Sequence, residues 1–308
     1  MEAMRILVAS KSFGYGASRE SLHELFRKYS LSPIFSPLEQ CADQIGDFDG
    51  IIIGTAKVTR ELLAQAKRLR VMIKYGVGID NIDVQAAKEL GIVVLNLPGI
   101  NAQAVAELAL GLMLAVARKV AWGDRLVRSG KWDGLIGSSV AGKTLGILGT
   151  GSIGCHLVRL ASGLQLNVLG FDIQQNPAFI EAGGQYVSLE SLLSMADFIS
   201  IHLTLNSHTL HFMDRHKFSQ MKPGAFLINT SRGKVVDEQA LLDALRSGHL
   251  GGAALDVFES EPPASTGLTE MDNVVSTPHI GAYTDETLRL MDETCISTLR
   301  DALQSSAH

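Results

Sequence analysis

The chain has 308 residues, 46% apolar and 19% charged, with a formal net charge of −5. That length suits two domains, and the apolar share supplies their cores, which excludes a disordered chain. The acidic balance without a basic stripe argues against a nucleic-acid partner. The longest apolar segment, 104–116, contains Glu107 and is too short to span a bilayer, which argues against a membrane partner.

Short apolar runs and amphipathic segments alternate from Ile6 onward. Residues 6–9, 34–35, 50–53, 71–73 and 92–95 read as strands. Residues 18–29, 61–69 and 84–90 read as helices, the first with Leu22, Leu25 and Phe26 at helical spacing. This order predicts a parallel sheet with helices on both faces. Residues 101–120, rich in Ala and Leu, predict one long helix, apolar around almost its whole circumference and therefore buried. The alternation resumes with strands at 144–148, 167–171, 198–203, 226–229, 252–257 and 274–276. Helices are expected at 156–161, 189–195 and 238–247, the last stopping at Gly248. Residues 284–303 form a final helix with Leu288, Met291, Cys295, Ile296 and Leu299 on one face, placed to cross back onto the first half. The tail 305–308 is expected to fray. Cys41, Cys155 and Cys295 are odd in number and far apart, which points to a reducing compartment. A start without signal-peptide order adds the expectation of a cytoplasmic protein.

The densest motif is Gly149-x-Gly151-x-x-Gly154, between the strand at 144–148 and the helix that follows. The first glycine permits the turn, the second admits a pyrophosphate to the backbone, and the third lets helix and strand pack closely. The N–H groups of Ser152 and Ile153 and the positive helix end complete an anion cradle. The next strand ends in Asp172, 18 residues after Gly154, close to the ~20 expected for an acid on a ribose 2′-OH. The residues after it, Ile173-Gln-Gln-Asn176, offer no Arg for a 2′-phosphate. NAD is thus expected over NADP, and no metal is expected.

Three later stretches place polar side chains at strand ends, where open α/β sheets bind ligands. Arg232 ends Leu227-Ile-Asn-Thr-Ser-Arg-Gly233. Asp256 and Glu261 lie in Ala254-Leu-Asp-Val-Phe-Glu-Ser-Glu-Pro-Pro263. His279 lies in a turn between Pro278 and Gly281. A His, an acid and an Arg suit reversible hydride transfer at an alcohol carbon, as proton carrier, partner of the imidazole and carbonyl polariser. By type and spacing alone they read equally as a surface Arg, a solvated acidic turn and a constrained His.

These motifs together resemble the D-isomer-specific 2-hydroxyacid dehydrogenase family, in its phosphoglycerate dehydrogenase-like branch. The likeness rests on Gly149–Gly154 with Asp172, on 229–238, on 252–259 with Glu261-Pro262, and on 277–281. It implies two Rossmann-like α/β domains with parallel sheets and a cleft between them. A substrate-binding domain would comprise 1–100 plus 284–308, and an NAD-binding domain 101–283. Arg232, Glu261 and His279 match the family's catalytic residues, and Asp256 an acid on the nicotinamide carboxamide. Thr204, Thr230 and Gly281 join the cofactor set, although the family often has Pro at the position of Thr204. Lys74-Tyr-Gly-Val-Gly-Ile-Asp-Asn81 looks like the substrate loop, with the N–H groups of Val77 and Gly78 on the substrate carboxylate. Lys74 and Asn101 complete the substrate set.

The resemblance ranks D-3-phosphoglycerate first, with Lys74 or Lys57 as the phosphate cation. Hydroxypyruvate or glyoxylate reduction ranks close behind, since the chain shows no added regulatory domain. An NAD(H)-sensing, corepressor-like binding protein is the alternative of another class. A homodimer is expected, with contact from 101–120 and the following Trp122 and Trp132, unless these tryptophans complete an intramolecular core.

Overall fold

The structure, a computed structural model, describes residues 3–263 and 267–305; the tail at 306–308 lies outside them. The chain divides into two compact units, one formed by residues up to Asn101 and from Ala282 onward, the other by Ala102–Gly281.

In the first unit the elements are β1 (Met4–Ala9), α1 (Arg19–Lys28), β2 (Leu31–Phe35), β3 (Gly50–Ile53), α2 (Arg60–Gln65), β4 (Val71–Lys74), α3 (Val84–Glu89) and β5 (Val93–Leu95). All strands pair in parallel in the order β2-β1-β3-β4-β5. β3 and β4 are buried throughout, as uninterrupted apolar runs in a covered parallel sheet should be. Ser18, Thr59 and Asp83 cap the three helices with side-chain oxygens, which fixes where each starts. The helix expected over 61–69 stops at Gln65, yet Leu69 stays buried. Its apolar spacing is met by a turn rather than by helix.

The second unit holds α4 (Ala102–Ala117), α5 (Val120–Arg128), β6 (Thr144–Leu148), α6 (Ser152–Ser162), β7 (Asn167–Phe171), α7 (Pro177–Glu181), β8 (Gln185–Tyr186), α8 (Leu189–Met195), β9 (Phe198–Ile201), α9 (Arg215–Gln220), β10 (Phe226–Asn229), α10 (Glu238–Arg246), β11 (Gly252–Leu255) and β12 (Val274–Ser276). Its seven strands run parallel in the order β12-β11-β10-β9-β6-β7-β8. The order reverses between β6 and β9, which makes the carboxyl ends of that pair the natural ligand crevice. The helix expected over 101–120 is instead two helices, broken where Lys119 turns left-handed at φ 56°. α4 is buried against α6 and the sheet, so nothing in its composition marks the break. α7, β8 and α9, each six residues or shorter, were not read from the sequence. α7 and β8 are held by Phe179, whose ring contacts Tyr186 and fills the space that Cβ atoms at Gly170 and Gly184 would need.

The last helix, α11 (Asp285–Ser305), packs on β3 and β4 of the first unit. Leu299 and Leu303 close over Gly50, where a Cβ would lie only 3.2–3.3 Å from their methyl groups. No helix among the described residues is long and apolar enough to cross a membrane. Leu299→Ala removes a side chain with no solvent exposure and is expected to cost about 2–5 kcal/mol, measured as a lower urea midpoint at unchanged slope.

Candidate active site

The glycine turn after β6 has the backbone its motif requires. Gly149 sits at φ 93°, and a Cβ there would strike the His202 carbonyl oxygen at 2.6 Å. A Cβ on Gly154 would meet the Gly149 carbonyl oxygen at 2.7 Å, so α6 packs directly on the turn. Gly151 has no heavy atom within 4 Å of its Cβ position. That open space faces the start of α6 at Ser152 and Ile153, where unpaired helix N–H groups and the helix dipole favour an anion. The cradle therefore fits a pyrophosphate.

Asp172 follows the end of β7. Its Oδ2 accepts the Thr150 N–H at 2.7 Å and its Oδ1 the Ile173 N–H at 2.8 Å. Thr150 is fully buried, and its hydroxyl is hydrogen-bonded to Tyr186. The Tyr186 hydroxyl in turn accepts the Asn176 N–H. Thus Asp172 is held against the glycine turn by Thr150, at a position the motif leaves open, with Tyr186 and Asn176 behind it. Thr204 is exposed, with its carbonyl accepting the Thr209 hydroxyl. Thr230, beyond β10, has a buried hydroxyl oxygen with no partner among the described residues. His202 hydrogen-bonds the buried Ser200, and burial lowers its pKa to about 3, so it stays neutral.

Arg232, Glu261 and His279 come together in this same unit. The Asn229 side chain builds the first corner: its Oδ1 accepts the Ser231 N–H and hydroxyl, and its Nδ2 donates to the Arg232 carbonyl. At Gly233 a Cβ would overlap the Phe258 carbonyl carbon at 1.8 Å, so only glycine lets this corner approach the Glu261 segment. Glu261 Oε2 lies 2.7 Å from His279 Nδ1. Burial alone would raise the Glu261 pKa. The His279 hydrogen bond and charge, the Phe258 N–H and the Arg232 charge outweigh it, and the carboxyl falls below its ordinary value. The pair leaves His279 Nε2 for a reacting group.

His279 is left-handed at φ 55°, a conformation that is uncommon for a non-glycine residue. Asp256 holds it there. The Asp256 main-chain oxygen accepts the His279 N–H at 2.9 Å. Its carboxylate accepts from the Thr277 hydroxyl at 2.6 Å, the Ile280 N–H at 2.8 Å and the Gly281 N–H at 2.9 Å. Asp256 is 1% exposed, and burial raises its pKa despite these donors. Reading it as a cofactor contact missed this clamp on the His279 turn. An acid followed about 20 residues later by a Thr-Pro-His turn was the available signal.

In the first unit, β4 leads into the loop Gly76–Gly78, at the carboxyl end of its sheet. Lys74 is 7% exposed, and its ammonium donates to the Gly54 carbonyl at 2.6 Å and to Asn81 Oδ1 at 2.7 Å. It thus laces the loops after β3 and β4 together. The main-chain N–H groups of Val77 and Gly78 have no acceptor among the described residues. The Asn101 side-chain oxygen is buried and also lacks a partner among them.

A sequence profile described as D-isomer specific 2-hydroxyacid dehydrogenase, NAD binding domain, matches residues 110–281. The chain is 42% identical to a glyoxylate reductase of Thermococcus litoralis, over 82% of this chain and 79% of that protein. It is 40% identical to a D-3-phosphoglycerate dehydrogenase of Methanocaldococcus jannaschii, over 80% of this chain but 48% of that one. A solved D-lactate dehydrogenase of Aquifex aeolicus, complexed with NAD and lactic acid, is similar with a TM-score of 0.86 at 27% identity, covering 98% and 96% of the two chains. With Asp172 in place of a cation, Asp172→Ala is expected to reduce the preference for NADH over NADPH at least about tenfold, ~1.4 kcal/mol, in parallel cofactor titrations.

Proposed function

This chain belongs to the D-isomer specific 2-hydroxyacid dehydrogenase family and is an NAD-dependent oxidoreductase, and from that premise we propose that it reduces a small unphosphorylated 2-keto acid, hydroxypyruvate to D-glycerate or glyoxylate to the achiral glycolate. The pair of Glu261 and His279 at 2.7 Å carries the chemistry. When bound, NADH supplies the hydride that reduces the carbonyl carbon. His279 passes a proton from Nε2 to the carbonyl oxygen, and takes it back when the alcohol is oxidised. Glu261 fixes the tautomer through Nδ1 and stabilises the imidazolium. Arg232 polarises the carbonyl and orients the acid with a rigid fork of donors. The open N–H groups of Val77 and Gly78 receive the substrate carboxylate, with Asn101 beside them in sequence order after the next strand.

The choice of acid turns on Lys74. Its ammonium donates to Gly54 and Asn81 inside the first unit, which weakens one of the two supports for ranking a phosphorylated substrate first. D-3-phosphoglycerate remains as a second reading on one observation, the exposed Lys57 beyond β3 at the same sheet end. A keto-acid panel with NADH separates them. Hydroxypyruvate and glyoxylate are expected to exceed 3-phosphohydroxypyruvate in kcat/KM, and the reverse order overturns the choice. On the preferred acid, His279→Ala is expected to lower kcat by roughly 10²–10⁴ while NADH still binds; undiminished turnover removes its assigned role.

The protein acts as a homodimer in this reading, through the face that follows α4. α4 is mostly buried and exposes Gln103, Glu107 and Gly111, whereas Trp132 is 89% exposed, beside the exposed Val120 and Val127 of α5. Trp132 therefore completes no intramolecular core, and exposed apolar side chains of this kind suit a second copy. Light scattering is expected to give a dimer that Trp132→Asp converts to monomer.

A further inference from the structure

α11 packs into the first unit with an apolar face that includes Leu288, Met291, Cys295 and Leu299, all buried. Asp292 interrupts that face and is only 8% exposed. Burying a carboxylate costs several kcal/mol unless its oxygens are matched. Among the described residues no cation pairs with it. Burial raises its pKa, against donors from Tyr75 and Gly14. An aliphatic residue would satisfy the packing at lower cost, so the acid's partners hold the explanation.

Those partners are two loops at the carboxyl end of the sheet. The Tyr75 hydroxyl donates to Asp292 Oδ1 at 2.7 Å, and the Gly14 N–H is shared by both carboxylate oxygens at 3.2 Å. The Tyr75 ring also packs on Phe13, with centroids 5.2 Å apart. Tyr75 is the residue immediately before Gly76, where the chain swings to φ 135° and enters the loop of Val77 and Gly78. On its far side that loop is anchored by Leu97 N–H to the Gly76 carbonyl at 2.9 Å and by Asn96 Nδ2 to the Val77 carbonyl at 2.6 Å. On its near side Lys74 ties the loop to Gly54 and Asn81, and Tyr75 ties it to α11, with its hydroxyl 2.7 Å from Asp292 Oδ1 and 3.3 Å from the Leu288 carbonyl.

We propose that Asp292, acting through the Tyr75 hydroxyl, is a positioning residue that aims the Val77 and Gly78 N–H groups at the substrate carboxylate. The inference rests on the substrate role given to that loop above. Two N–H groups bind a carboxylate well only if both point at it, and a loop freed at one end loses that alignment before it loses its fold. The role concerns substrate affinity, not the proton or hydride step, because both residues belong to the unit that does not hold His279.

Steady-state kinetics with hydroxypyruvate and NADH, on Tyr75→Phe, Asp292→Ala and Asp292→Asn, tests this. Tyr75→Phe deletes one hydroxyl and preserves the ring, so it keeps the test alive if Asp292→Ala fails to fold. Tyr75→Phe and Asp292→Ala are expected to raise the hydroxypyruvate KM about 3- to 10-fold, the range of one net hydrogen bond. Both should leave kcat and the NADH KM within about twofold. Asp292→Asn, which keeps an acceptor for the Tyr75 hydroxyl, should restore KM to within about twofold of wild type. An unchanged hydroxypyruvate KM in Tyr75→Phe, or an equal loss in kcat and both KM values, overturns the positioning role while the proposed reaction stands. Wild-type protein that binds NADH and turns over no 2-keto acid overturns the reaction itself, and the inference with it.

Discussion

The buried carboxylate of Asp256 is the contact on which the proposed chemistry depends. It gathers the Thr277 hydroxyl and the Ile280 and Gly281 N–H groups, while its own main-chain oxygen takes the His279 N–H. Donors converging from one short turn hold His279 in a left-handed conformation that a histidine does not favour unaided. Without that clamp, the 2.7 Å pairing with Glu261 would have to be found anew by a flexible loop. A buried acid with matched oxygens thus sets the direction of an imidazole it does not itself touch through a side-chain hydrogen bond.

Close backbone approach does comparable work elsewhere in the same unit. Gly233 brings the Arg232 corner against Phe258, and Gly149 brings the phosphate turn against His202. At both places the absence of a Cβ sets the distance between loops that carry the proposed site. The first unit uses a different device. There Lys74 and Asp292, both buried and charged, tie neighbouring loops to one another through carbonyl, amide and hydroxyl groups. Rigid elements with matched polar ties are what a site needs to hold its donors in place.

Much of the fold was legible from the residues alone. The apolar runs at β3, β6 and β10 and the glycine turn were found at or near their true bounds. Each is fixed by local chemistry: a continuous buried strand, or a turn only glycine can make. The long helix over 101–120 was misjudged, because an Ala- and Leu-rich run gives no sign of the turn at Lys119. The short α7 and β8 were invisible because part of what holds them is Phe179, a tertiary contact. Among site residues, residue type and resemblance singled out Arg232, Glu261 and His279, while the duties of Asn229 and Asp292 left no mark in spacing.

By itself the sequence determined that this chain would fold as alternating α/β units, with a glycine turn at Gly149–Gly154 of the kind that suits a pyrophosphate and an acid at Asp172 after the next strand. Those features depend on backbone freedom, apolar period and residues close along the chain. Only the tertiary structure decided what the buried charges do. Lys74 reads in sequence as a cation awaiting a phosphate, and in space its ammonium is enclosed by Gly54 and Asn81. Asp256 reads as a ligand contact and also clamps a turn; Asp292 reads as one polar residue on a helix and secures two loops. The physical reason is the same in each case: a buried charge takes its role from the partners that desolvation obliges it to find, and those partners lie 7 to 278 residues away along the chain.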